Sequence, residues 1–327
     1  MNVYRIEYPD RTPVGSLTDY ANDVNAENYV CSYSRYWHGY LVLLKPLLMI
    51  FDIADIRICN MICFFTLLIY IVLQMERHGL KKYITWFGIS ILLLNPLTIP
   101  LSFQFSTVTY IALLSVVIVL KKENWSLEKS FFFFMMIGIL TAYFDFLTFP
   151  LVGLYFPMIF MLLKENDWKK ATKKVVLYSI AWIIGYGGMW AGKWIIGSIL
   201  TGQNFLMDAL TRANGYANPN EAEVSRIQII MKNVFVLVKW PIFYVGIGIA
   251  TKMYLHLLKA LKARRSNWQI AFPYLVIAAA PIVWYMAAGT HSYIHYWFTY
   301  RELCVSVFAI LVGMWKVGEA DRDVEVS

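Results

Sequence analysis

The chain has 327 residues, 59% of them hydrophobic, 17% aromatic and only 15% charged, with a mean hydropathy of +0.54. Soluble domains carry about 45–50% apolar and about 25% charged residues, so this composition excludes disorder, a collagen-like fibre, a disulfide scaffold and a water-soluble single domain. An integral membrane protein remains, and the net charge of +8 from 29 basic and 21 acidic residues has to be read by loop before it is read as a nucleic-acid footprint.

Residues 1–34 are polar, with turn formers Pro9, Pro13 and Gly15, and lack the basic start and apolar core of a signal peptide. The apolar stretch 36–51 is interrupted by Lys45 and Pro46. It reads as a helix lying at the interface, with Tyr36, Trp37 and Tyr40 at headgroup depth. Runs of spanning character occur at 56–75, 83–101, 104–121, 130–145, 149–163, 174–199, 237–261, 269–288 and 300–317. The fifth is short for the about 20 residues a crossing needs. Residues 225–236, broken by Arg226 and Lys232, are either a second interfacial helix or the first turns of the adjoining span. The runs are continuous rather than alternating, which argues for helices over a closed barrel. The expected fold is an all-α polytopic bundle of about nine spans, with an extracytoplasmic segment and interfacial helix over 1–54 and a transmembrane domain over 55–327.

Sorting Lys and Arg by alternate loops sets the orientation. One side collects 17, among them Lys81, Lys82, Lys121, Lys122, Lys164, Lys169, Lys170, Lys173, Lys174 and Lys316, and the other collects 9. The richer side is expected in the cytoplasm, with the N-terminus outside and the C-terminus inside. The basic surplus is then an orientation signal, and the stretches at 164–174 and 259–265, which could contact nucleic acid or acidic lipid, are read first as setting topology, with no nucleic-acid partner expected.

The polar residues left on the outer side carry the chemistry. Arg35 and His38 are three apart and can share a helix face. They can grip an anion or serve as an interfacial anchor. Asp52, Asp55 and Arg57 open the first confident span, and Asp55 is expected to cap it. His291, His295 and Glu302 would share one face of a continuous helix. That spacing suits a divalent metal, a phosphate grip through His295 and Arg301, or an aromatic interfacial turn. Asp145 closes a span before Pro150 and is expected to face a cavity. Lys193, among Gly185, Gly187, Gly188 and Gly192, is expected to snorkel towards lipid. The four cysteines show no pairing, Asn124-Trp-Ser126 is an acceptor pattern expected to go unused, and no GxxxxGK[ST] loop marks a nucleotide-driven enzyme.

The outer loop with Arg35-Tyr-Trp-His38-Gly39, the short Pro-broken apolar helix, Asp55-Ile-Arg57 with Asn60, and the later outer loop with His and Arg resemble the GT-C clan of polytopic glycosyltransferases. The resemblance implies a polyprenyl-phosphate-linked sugar donor and an extracytoplasmic glycan or lipid-linked acceptor. It also implies an acidic base in the first outer loop, here Asp19 or Asp23. Phosphate would be held by Arg35, His38, His291, His295 and Arg301, with Asp145 in the binding cavity and no organic cofactor. The clan's acidic residue comes after a first transmembrane helix, so the resemblance expects a helix ahead of residue 1. A surface polysaccharide polymerase or ligase would also use outer Arg and His. A lipid-linked-sugar flippase would show paired broken helices in repeated halves.

Overall fold

The computed structural model describes residues 4–22, 29–32, 36–122, 125–217, 224–261 and 268–326. Asp23, Arg35 and Asn124 lie outside them. The N-terminal segment holds an antiparallel ribbon, β1 (Tyr4–Glu7) against β2 (Tyr29–Ser32), with Tyr4 opposite Ser32 and Glu7 opposite Tyr29. Between the strands runs α1 (Pro13–Ala21), started by Pro13 and by the Thr12 hydroxyl, which accepts from Gly15 N at 3.1 Å.

The body of the chain is helical. The helix α2 (Tyr40–Leu47) buries none of its residues, and Val42, Leu43, Leu48, Met49 and Ile50 on and after it are exposed. That is the pattern of a helix lying on an apolar medium. Asp52, rather than Asp55, caps α3 (Ile53–Arg77), accepting from Ala54 N at 2.8 Å and Asp55 N at 2.9 Å. Asp55 instead supplies a negative charge to the first turn.

The expected span at 83–101 is broken. After a 3₁₀ turn at Lys81–Tyr83, α4 (Ile84–Leu93) runs for only ten residues, about 15 Å. Asn95 then takes a left-handed φ of 60°, and Pro96 and Pro100 cannot continue a helix. Helices α5 (Phe103–Lys121) and α6 (Leu127–Phe144) come next at full length. The fifth apolar run becomes α7 (Pro150–Leu162), thirteen residues of which all but Met161 are buried. It is about 20 Å long and forms the centre of the bundle rather than its wall.

The helix α8 (Trp168–Thr201) is 34 residues long and lies against α6. A Cβ on Gly138 would strike Trp182 O, and one on Gly185 would strike Met135 O, so this contact needs both glycines. Gly187, Gly188 and Gly192 have nothing within 4 Å of an added Cβ. The expected role of the glycines in close packing therefore falls to Gly185 alone of that group.

Beyond α8 come α9 (Phe205–Ala217), α10 (Arg226–Val238), α11 (Pro241–Leu261) and α12 (Phe272–Ala287). Then α13 (Gly289–Ile294), α14 (Tyr296–Thr299) and α15 (Leu303–Val326) close the chain. The helices α10 and α11 are separate elements. Ser225 and Gln228 form a capping box at the start of α10, and Phe243–Ile249 of α11 departs from it at 84°.

Five helical segments among the described residues are long and apolar enough to cross a membrane: Ile53–Arg77, Phe103–Lys121, Leu127–Phe144, Trp168–Thr201 and Trp268–Ala287. Counting the bent α10–α11 pair makes six. Exposed Ile58, Ile62 and Ile69 on α3, and Ile180, Ile183 and Ile184 on α8, form outward apolar stripes. A bilayer, not water, suits them.

Candidate functional site

The site is built around the turn between α6 and α7. Asp145 ends α6, and its carboxylate accepts from Thr148 N at 3.0 and 3.2 Å and from the Thr148 hydroxyl. This local ring of bonds lets Leu147 adopt a φ of 55°, and its carbonyl is taken up by His291 at 2.8 Å. Asp145 is buried at 4% exposure.

A second segment, 36–40, docks on the same stretch. Gly39 N donates to Tyr143 O at 2.9 Å, and a Cβ on Gly39 would lie 2.6 Å from Tyr143 Cε1. Only glycine permits this approach. His38, at a φ of 51°, stacks on Phe146 at 4.9 Å, and Tyr36 meets Phe146 edge-on at 4.4 Å. Tyr36 is buried and the Trp37 indole donates to Met189 O at 2.9 Å. These two residues therefore pack into the end of the bundle. Lys193 differs from expectation. It is 4% exposed and lies 4.9 Å from the centre of the Trp37 ring, so it binds an aromatic face and does not reach out to lipid.

The third segment is 289–302. It breaks at His295 between α13 and α14 and turns again at Tyr300–Glu302, so His291, His295 and Glu302 do not share one helix face. His291 and His295 lie 4.7 Å apart, and His295 stacks on Phe298 at 5.2 Å. Glu302 points away to α7, where Leu151 N donates to its Oε1 at 3.2 Å. No group of three His, Cys, Asp or Glu among the described residues could hold a metal.

Arg301 is 4% exposed. Its Nε donates to Leu94 O at 2.8 Å and its Nη2 to Thr98 Oγ1 at 2.9 Å. The Phe105 and Phe149 rings flank it at 5.3 and 5.7 Å. It ties the broken 94–98 turn to the site.

Burial holds the histidines in their neutral form. His38 is drawn down to about 4 by burial and then by the charge of Lys193, and His291 to about 4 by burial and then by His295. Burial lowers His295 as well. Because the Leu147 carbonyl can only accept, His291 carries its proton on Nε2. His38 and His295 can therefore offer an N–H donor to an anion or act as bases, His291 keeps only an acceptor nitrogen, and none of the three brings a fixed positive charge.

His38, Asp145, His291, His295 and Arg301, all singled out by the sequence, meet around 143–151. Asp19 lies in the N-terminal unit, where it accepts from Arg11 Nε at 2.9 Å. An apolar cavity of about 280 Å³ adjoins Leu147 and Tyr36, walled by Tyr186, Trp190, Trp194 and Trp284. Sequence reading missed this wall. The signal was present as aromatic residues at strict four-residue spacing on α8, namely Trp182, Tyr186, Trp190 and Trp194. Trp182 and Tyr186 stack at 4.4 Å, and Trp190 and Trp194 lie 5.9 Å apart. Compared with family models, curated proteins and solved structures, the chain matches none.

Proposed function

We propose that this chain is a membrane glycosyltransferase of the GT-C type, moving a sugar from a polyprenyl-phosphate donor to an extracytoplasmic glycan or lipid-linked acceptor. The observation that carries the reading is the meeting of three segments far apart in sequence, 36–40, 143–151 and 289–302, at one end of an apolar bundle beside an aromatic cavity. Ionisable groups in such a place are costly and serve function or one another. Aromatic walls suit a sugar face or an isoprenoid chain. In this reading the bundle has nine passes, with α4, α7, α11 and α15 completing the five long ones. The site end faces outside and the C-terminus is cytoplasmic.

Asp145 takes the role of base towards the acceptor hydroxyl, being the carboxylate among the five converging residues, while Asp19 is engaged with Arg11. The N–H groups of His295 and His38 meet the departing phosphate, and Arg301 positions the loop that carries them.

The test is turnover of polyprenyl-phosphate sugars by the protein in nanodiscs. Asp145→Asn is expected to lose about 10²–10⁴-fold in rate, and His295→Ala and Arg301→Ala to be impaired. Asp19→Asn is expected to stay near wild type. No turnover of any lipid-linked sugar by wild-type protein would sink the transferase. The 84° bend between α10 and Phe243–Ile249 is the feature that favours a flippase. Movement of the same lipid across sealed vesicles without sugar transfer would select it.

A further inference from the structure

The opposite, basic end of the bundle holds two cavities that the proposed reaction does not use. The first is about 590 Å³, with His78, Lys82, Tyr83, Lys164, Lys316 and Glu319 in its wall. The second is about 180 Å³ and includes Lys122, Lys164, Glu165 and Lys174. Lys164 and Leu80 line both. Together the walls bring five lysines and a histidine against two glutamates.

The existing partners show which charges are already used. Glu319 is occupied on both oxygens, with Lys82 Nζ at 2.6 Å and the Tyr83 hydroxyl at 3.1 Å. Glu165 holds Lys174 at 2.8 Å. Lys316 is turned towards the end of α7, donating to Leu162 O, Leu163 O and Glu165 O at 3.3, 3.0 and 2.6 Å. The C-terminus of α3 is closed by its own bonds, Gly79 N to Glu76 O and Leu80 N to Met75 O, so its carbonyls do not repel an anion as a bare helix end would. What remains in the wall of the larger cavity is Lys164, which is exposed and takes part in no ion pair among the described residues, together with His78 and the outer side of Lys82. A polar, positively charged recess at the basic end of an apolar bundle has the chemistry of a phosphate receptor.

We propose that the cavity at Lys164, His78 and Lys82 binds a phosphate-bearing anion. The shared chemistry is a phosphate group, whether from an acidic lipid headgroup or from a free phosphate or diphosphate. The inference is independent of the transferase reading, since the two sites lie at opposite ends of the bundle.

The test uses the full chain, with binding read as a thermal-stability shift and by native mass spectrometry. In one arm inorganic pyrophosphate is titrated in detergent at low salt. In the other, nanodiscs of phosphatidylcholine alone are compared with nanodiscs containing phosphatidylglycerol. Stabilisation in the first arm identifies a soluble anion, and in the second alone a lipid headgroup. Either supports the site, provided that Lys164→Gln weakens it about fivefold and Lys164→Glu about 25-fold. Lys173→Glu, an exposed lysine outside both cavities, should leave it unchanged. Should Lys164→Glu fail to fold, the Gln variant together with His78→Gln carries the comparison. Absence of stabilisation in both arms, or equal weakening by Lys173→Glu and Lys164→Glu, overturns the proposal.

Discussion

At the scale of single residues, the site depends on close approaches and on buried imidazoles. Gly39→Ala would push a Cβ into the Tyr143 ring and carbonyl, and over-packing of this kind costs about 1–3 kcal/mol. Gly88 on α4 has open space around an added Cβ, so Gly88→Ala should be neutral or stabilising, because Ala outranks Gly in a helix. Melting of the two variants in detergent checks the contrast. Equal stability would mean that 36–40 is not docked on α6. The histidines give a pH dependence of definite sign. His38 and His291, near 4 in the fold against 6.5 unfolded, take up protons on unfolding between those values. Their contribution to stability is complete above pH 6.5, falls as pH drops through the window, and levels below 4. His38→Gln and His291→Gln should each remove their own share of that fall, so the difference in Tm between variant and wild type changes across pH 6.5 to 4. A constant difference would show that the imidazole is exposed to water.

At the scale of elements, α7 explains how the site is held. This buried helix is gripped at both poles from one neighbour. Glu302 accepts from Leu151 N at its start, and Lys316 donates to three carbonyls at its end. The two residues are fourteen positions apart, about 21 Å along a helix against about 20 Å for α7, so the stretch from Glu302 through the first half of α15 matches α7 in length and direction. The carboxyl oxygen at the N-terminus accepts from a backbone N–H that lacks an intrahelical partner, and the ammonium at the C-terminus complements the helix dipole. The poles are not equal. Lys316→Met would take this donor from Leu163 O and Glu165 O, while Leu162 O keeps the Tyr274 hydroxyl at 3.0 Å, and should cost about 2 kcal/mol. Glu302→Gln keeps an acceptor for Leu151 N and exchanges a buried acid, whose Oε2 has no hydrogen-bond partner among the described residues, for an amide of the same shape, so it should leave the melting temperature unchanged or raise it. A large loss of stability in Glu302→Gln would show that the charge itself holds α7. Unchanged stability with lost turnover would place Glu302 in the reaction. The sequence marked both residues, Glu302 as a polar outer residue and Lys316 only as an orientation charge. Their joint hold on α7 was not legible, because the partners are backbone groups of another segment.

At the scale of the molecule, the membrane character and the polar end were legible, and the number of long crossings was not. Hydropathy counts apolar residues without regard to what covers them, so α7 scored as a span although protein surrounds it on nearly every side. The Asn95-Pro96 turn cut another run at ten helical residues. Arg35-to-Gly39, Asp145 and 289–302 each stood out alone. Their meeting runs through contacts such as His291 to Leu147 O, 144 residues apart, which no local pattern records. Orientation can be tested on one helix. The helix α8, at 34 residues, is about 51 Å long and exceeds the about 40–45 Å of a bilayer with its headgroups, so both of its ends stand clear. Lys173 is exposed near its basic start and Asn204 is exposed just beyond its other end. Lys173→Cys and Asn204→Cys are made in a background lacking Cys31, Cys59, Cys63 and Cys304, and intact cells are treated with a membrane-impermeant maleimide. Asn204→Cys should be labelled directly and Lys173→Cys only after permeabilisation, if the proposed orientation holds and the lysine-rich end follows the positive-inside rule. The reverse pattern would put the His- and Asp-bearing site on the cytoplasmic face, where a polyprenyl-phosphate donor presented in the outer leaflet cannot reach it.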